Sequence, residues 1–506
     1  MSATEVPAGA SASSEPGQSA PGRRRVMGLL DITLFTVSAV LVIDQLTASA
    51  SIGTKTIGWW LLGILLFLIP YGLIASELAT TYPEQGGIYV WVKRAFGPRW
   101  AARTTYWYWV NVALWMPSVF LLFAGVFSQL FVSKWTDWSS GKWFQVAVAI
   151  LLTWLVVVVG VMRLEIGKWV NNVGAALKIA IILAIGVGGI VLAVRHGSAN
   201  HIGAGSFVPS LGVAKTYLPV IVYMLIGFEL ISSMAGEIKE PEKRIPRAFF
   251  TSGLVTALLY LFATVGILLS LSLTKLSLVE GLVDTFKAIF GSSGAGEVAV
   301  YALGIAALYA YFTNMTTWSM GANRAAAEAA NDGELPAFLG REHPVRRTPV
   351  AAFVVTGIVS TVVLVLTALF VKSQDNLYYA IFAASSVIFL LPYLLMFPAV
   401  VVLRRKDPDR PRPFRIPGGI GVISALAAIA SLIIAATALL FVWPEVPHGP
   451  ASWSYTGPLL GIVVATLLVG EAILSQRMRR RPRLTGRASH RVVRRASGAP
   501  VEGAGR

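Results

Sequence analysis

Three ionisable side chains stand in stretches that are otherwise apolar. They are Asp44 in "SAVLVIDQLTASAS", Lys178 in "NNVGAALKIAIILAI" and Glu229 in "YMLIGFELISSMAG". An Asp or Lys at the centre of a membrane helix costs about 2.5–3.5 kcal/mol on insertion scales, so such a residue normally faces a partner, a cavity or a pathway. A carboxylate there can hold an ammonium group. An amine there can bridge two helices, or carry a proton if its charge responds to its neighbours. The plain alternative is a structural ion pair between helices, and it stays open for all three. Glu77, Glu237 and Glu471 lie near the ends of apolar runs, where interfacial solvation is the simpler expectation.

Other chemistries are thinly represented. The chain has no cysteine, which excludes disulfides, thiolate metal sites and cysteine nucleophiles. It shows no Walker-type phosphate loop and no histidine/carboxylate metal spacing among its five histidines. No cofactor, no metal and no enzymatic activity are therefore expected.

The elements that must carry these residues are long apolar helices. Of 506 residues, 55% are hydrophobic and 13% charged, and the mean hydropathy is +0.68. Twelve candidate spans follow: 29–53, 59–80, 100–131, 143–162, 166–194, 215–237, 247–273, 297–322, 349–371, 377–403, 419–442 and 455–476. A bilayer core about 30 Å thick needs about 20 apolar residues in a helix. Lipid offers no water to unpaired backbone, so these segments read as helices and the chain as an all-α polytopic membrane protein. "TASAS" after the first span resembles a signal-peptidase site, but the preceding apolar stretch is long, so it is read as a retained helix.

A net charge of +17 would suit nucleic acid, but its distribution points to a lipid bilayer instead. With the amino terminus inside, 33 of the 42 Lys and Arg fall in inside pieces, 8 in outside loops or span edges, and Lys178 within a span. That asymmetry places both termini in the cytoplasm. Residues 1–26, rich in Ser, Ala, Gly and Pro, are expected to be a disordered tail, and residues 477–506 a basic one. Along the third span, Thr104, Tyr108, Asn111, Trp115 and Ser118 share one helical face, and Asn314 lies in the eighth. Such a face lines a pathway or makes ordinary helix–helix contact.

Three separated stretches carry a resemblance. "YPEQGGIYVWVKRAFGPRW" (82–100), "GFELISSMAGEIKEPEKRIPRA" (227–248) and "GANRAAAEAANDGELPAFLG" with "RRTPV" (321–350) resemble loop motifs of the amino acid–polyamine–organocation transporter superfamily, the amino acid permeases. The "ELAT" and "IPYG" context of the second span is similar to the glutamate/γ-aminobutyrate antiporter branch. The resemblance covers residues 27–476 and implies the LeuT-like fold. In that fold two inverted five-helix repeats, here 29–194 and 215–403, are followed by two extra helices, 419–442 and 455–476.

The resemblance further implies that the first and sixth spans are broken near the midplane and hold the substrate. The site would comprise Val42, Ile43, Asp44, Gln45, Ile226, Gly227, Phe228 and Glu229. Most members carry glycines at the first break, whereas the corresponding stretch here, "SAVLVIDQLTASAS", has none. Lys178 stands where some branches place a coupling residue, and Tyr108, Asn111, Trp115 and Asn314 are expected to line or gate the pathway. The segment "LVEGLVDTFKAIFG", apolar at 282, 283, 286, 289 and 290, reads as an amphipathic external helix, which in the family acts as a lid. The function implied is secondary active transport of amino acids or related amines across the cytoplasmic membrane, by alternating access, with proton coupling or exchange. An amine or polyamine exchanger of the same superfamily is one alternative. A channel or receptor is another from hydropathy alone, but neither predicts these loop motifs.

Overall fold

The computed structural model describes residues 28–84, 86–132, 141–162, 168–210, 214–346, 348–443 and 453–480. The amino-terminal tail over 1–26, and the carboxy-terminal tail beyond 480, lie outside the described residues. The described residues contain helices and no strand. Among the described residues, ten helices are long and apolar enough to cross a membrane: Thr56–Thr81, Pro98–Val132, Lys142–Val161, Asn172–His196, Pro241–Ser270, Gly294–Asn331, Val350–Phe370, Gln374–Lys406, Gly419–Val442 and Thr456–Gln476. Each answers to one of the expected segments, with ends displaced by a few residues. The last helix continues to Arg480, four residues into the expected basic tail.

The remaining two expected segments are not single helices. Over 29–53 the chain forms α1 (Leu29–Val40), leaves helical geometry at Leu41 with φ −67° and ψ 111°, and resumes as α2 (Leu46–Ala50). Over 215–237 it forms α3 (Ala214–Met224), is interrupted at 225–227, and continues as a tighter 3₁₀ stretch over Phe228–Glu237. Gly227 has φ +102°, a conformation that costs a residue with a Cβ and costs glycine nothing. The segment expected to be external forms a helix, Gly281–Phe290, with Leu282, Val283 and Phe286 buried.

Two compact units divide the chain. The first comprises residues 1–95, 167–310 and 392–450. Within it, α4 (Asn172–His196) and α5 (Pro241–Ser270) approach backbone to backbone. A Cβ added at Gly266 would lie 2.4 Å from the Ile185 carbonyl oxygen, and one at Gly189 2.4 Å from that of Gly266. Small residues permit this approach, which is how apolar helices gain dispersion contact in lipid, where burial alone offers little. In the "YPEQGG" turn, Gly87 has φ +51°, and a Cβ there would come within 2.7 Å of the Ser232 hydroxyl.

Glu77, at the end of helix α6 (Thr56–Thr81), corrects an expectation. It is not solvated by the interface but 2% exposed and gripped by Arg404 of helix α7 (Gln374–Lys406). Arg404 Nε and Nη2 donate to the two carboxylate oxygens at 2.7 and 2.6 Å, and the Ile416 amide donates at 2.8 Å. Arg412 Nε stands 3.6 Å away. The parallel pair of guanidinium bonds fixes geometry as well as charge. Beside it the Tyr82 hydroxyl donates to Asp407 Oδ2 at 2.9 Å. Burial, and then Asp407, pushes the Tyr82 phenol up to about 12.

The second unit comprises residues 96–166, 311–391 and 451–506. Its polar centre is Asn323, fully buried. The Asn323 Oδ1 accepts from Trp109 Nε1 at 3.0 Å and from the Thr356 hydroxyl at 2.8 Å, while its Nδ2 donates to Ser319 O at 2.9 Å. Glu471 is half exposed and paired with Arg103 at 2.7 Å, in keeping with a helix end at an interface. The Glu237 side chain lies outside the described residues.

Candidate functional site

The first unit contains all three ionisable residues singled out in the sequence, Asp44 and Glu229 on its two interrupted helices and Lys178 on α4. Asp44, Lys178 and Glu229 are 3%, 5% and 4% exposed. Val42, Ile43, Gln45, Ile226, Gly227 and Phe228 are buried as well.

At the first break no residue from 41 to 45 has a positive φ, so the turn forms without glycine. Its backbone is held by side chains instead. A helix end leaves its last four carbonyls without helical partners. Here the Val37 carbonyl receives the Leu41 amide at 2.8 Å, the Ser38 carbonyl receives Lys178 Nζ at 3.4 Å, and the Val40 carbonyl receives the Tyr260 hydroxyl at 3.0 Å. A cation at a helix carboxy terminus also meets the negative end of the helix dipole. The Tyr260 hydroxyl accepts in turn from the Val42 amide at 2.8 Å. One phenol from α5 thus serves both sides of the break. Beyond it, the Asp44 carboxylate accepts from Gln45 Nε2 at 3.0 Å and interacts electrostatically with Lys178. The Thr47 hydroxyl of α2 donates to the Leu278 carbonyl at 2.9 Å, just before the external helix.

At the second break the carboxylate of Glu229 is clamped by two phenols. Tyr71 of α6 donates to one oxygen, and Tyr393 of α7 to the other at 2.9 Å. The Glu229 amide donates back to the Tyr71 hydroxyl at 3.2 Å. The two breaks therefore share a plan: a buried carboxylate, with a backbone amide of the break donating to a tyrosine oxygen. Irregular backbone at such depth is tolerated only where it is packed against protein or lines a cavity. A buried carboxylate at each break can bind a cationic group, and a change of partner at Glu229 can be sensed by two other helices.

The proposed pathway residues lie in the second unit. Tyr108 packs edge-on against Phe389 at 5.3 Å, and Trp115 against Trp318 at 5.7 Å. Asn111 is buried, and Asn314 half-buried. The face along this helix is largely internal: Ser118 donates to the Trp115 carbonyl and Thr104 to that of Trp100. Tyr71, Tyr260 and Tyr393 escaped the sequence reading. A tyrosine in an apolar span looks like any other aromatic there, and only its distant partner reveals a role.

A family model described as amino acid permease matches residues 27–465. Among curated proteins, a probable agmatine/putrescine antiporter of Lactococcus lactis subsp. lactis is 32% identical over 451 residues, which are 89% of this chain and 95% of that protein. A glutamate/gamma-aminobutyrate antiporter of the same organism is 24% identical, over 81% of this chain and 82% of the relative. A branched-chain amino acid permease of Bacillus subtilis is 29% identical over 53% of each chain.

Proposed function

The chain belongs to the amino acid permease family, a multi-pass membrane protein with a small-molecule substrate, and on that premise we propose its transport cycle and site. It is a secondary active transporter that moves amino acids or related amines across the plasma membrane by alternating access, with exchange as the favoured mode. Transport, rather than catalysis, is what its relatives are named for. The observation that carries the site reading is the pair of interrupted helices, each bearing a buried carboxylate, Asp44 and Glu229. Broken helices that line a midplane site are how carriers of this architecture expose backbone groups to substrate.

In this reading the two broken segments count as spans beside the ten long helices, giving twelve in two inverted repeats, 29–194 and 215–403, with 419–442 and 455–476 added. The transporter domain is 27–476, between cytoplasmic tails. Both termini face the cytoplasm, on the distribution of basic residues. The substrate contacts Val42–Gln45 and Ile226–Glu229. Tyr108, Asn111, Trp115 and Asn314 line or gate the pathway in this reading.

Lys178 is the proposed coupling residue. Its reach to the Ser38 carbonyl links the fifth span to α1. That link is strong when the amine is charged and weak when it is neutral, so proton occupancy biases one state of the cycle, as a differential affinity must. Uptake of labelled substrate into proteoliposomes tests this. The expectation is counterflow without sodium. In Lys178→Ala, pH dependence should vanish while substrate binding survives. A sodium requirement, or a wild-type pH profile in the variant, would refute the coupling role. An unaltered affinity for amines in well-folded Asp44→Asn would remove Asp44 from the site.

A further inference from the structure

We infer that the two helix breaks select amines lacking a carboxylate over the amino acids from which such amines derive, and that Tyr260 and Asp44 impose this choice. The inference rests on the transport reading and narrows it to a substrate class.

A break that receives an α-carboxylate must present backbone N–H groups and a positive helix end to it. Here Val42 N–H, the second amide past the end of α1, already donates to the Tyr260 hydroxyl at 2.8 Å. A phenol has a single proton, and that of Tyr260 is directed at the Val40 carbonyl, 3.0 Å away. Tyr260 therefore covers an amide that would attract an anion and has no proton left to offer one. The second break repeats the arrangement, since the Glu229 amide donates to the Tyr71 hydroxyl at 3.2 Å. The proton of that phenol goes to the Glu229 carboxylate.

Charge acts in the same direction. Asp44 lies two residues beyond the covered Val42 amide, and Glu229 two residues beyond Gly227, both buried. A substrate carboxylate entering either break meets a like charge. Lys178 could attract such a group, but its Nζ is turned to the Ser38 carbonyl at the end of α1 and feels Asp44. Cationic ends meet the opposite situation, with one acceptor carboxylate at each break. Two like charges about 5 Å apart at an effective dielectric near 20 disfavour binding by roughly two powers of ten.

Matched pairs isolate the carboxylate: agmatine against arginine, putrescine against ornithine, cadaverine against lysine. The full-length chain in proteoliposomes, preloaded with one labelled amine or amino acid that it carries, is challenged with each pair member. Inhibition of counterflow and thermal stabilisation of purified protein give two independent readings. Each amine should outcompete its amino acid by roughly 100-fold. In Tyr260→Phe the Val42 amide is freed, and the ratio should fall below roughly tenfold because the amino acid binds better. A merely structural tyrosine would weaken both members together. Asp44→Asn should weaken both members through their shared amine yet shrink the ratio, because the like charge facing the amino acid's carboxylate is gone. Should either variant fail to fold, the wild-type pairs decide alone. Ratios near one, or amino acids preferred, would overturn the substrate class while leaving transport standing. No counterflow with any amine or amino acid would overturn the transport reading and this inference with it.

Discussion

Replacing Glu77 by Gln tests whether the ion pair at the end of α6 holds the first unit together. Arg404 gives Glu77 two charge-assisted hydrogen bonds, at 2.7 and 2.6 Å, with both side chains under 10% exposed. Hydrogen bonds to charged groups contribute about 1.5–3 kcal/mol each. Removing one partner of a buried pair costs about 3–5 kcal/mol, because the other charge is left without compensation. Glutamine keeps one acceptor for Arg404 or for the Ile416 amide, so the lower figure of about 3 kcal/mol is expected for Glu77→Gln. Arg404→Met should cost at least as much, since it also strips donors from the Ile416 and Gly419 carbonyls. The double variant leaves neither member of the pair without the other, while Arg412 keeps the Leu403, Asp407 and Arg410 carbonyls. It should therefore recover about 2 kcal/mol relative to the sum of the single variants. Equilibrium unfolding of all four proteins in one detergent gives the cycle. Single losses below about 1 kcal/mol, or strict additivity, would refute the view that the pair acts as a unit.

Three further outcomes are expected. Gly266→Ala should lower thermal stability markedly, since its Cβ would stand 2.4 Å from a backbone oxygen of α4, whereas Gly421→Ala, with nothing within 4 Å, should not. The Tyr82 phenol is pushed up to about 12 from 10.0 by burial and by Asp407. Its neutral form therefore stabilises the fold fully below pH 10, and that contribution is lost as pH rises towards 12. Tyr82→Phe should flatten this alkaline part of the stability profile, and an unchanged profile would reject the assignment. A cysteine placed at Glu242 should resist an impermeant thiol reagent in intact cells, and labelling there would invert the proposed topology.

Hydropathy made most of the architecture legible, because each long helix must be apolar over a bilayer's thickness whatever its neighbours. The break at Gly227 was an expectation from the resemblance, and the glycine gives it a local cause. The break at Leu41–Gln45 carries no such mark. The side chain that holds it is Tyr260, 218 residues from Val42. The same holds for Glu229, whose phenols are 158 and 164 residues away, and for Glu77, whose arginine is 327 away. Periodicity tells which face of a helix is apolar, not which distant side chain will meet it. For that reason Glu77 read as an interfacial residue and proved to be a buried anchor.

The glycine contact between α4 and α5 has a mechanical consequence for α1. Lys178 rides on α4 and Tyr260 on α5, and both grip the last turn of α1. At Gly189 and Gly266 backbone meets backbone with no side chain between, which resists sliding of α4 along α5. The two grips are thus jaws of one vice with a fixed gauge. In the proposed cycle the end of α1 is then freed by changes within the jaws, a proton leaving the lysine or a phenol turning, so a tilt of α1 would begin with an event the size of one hydrogen bond.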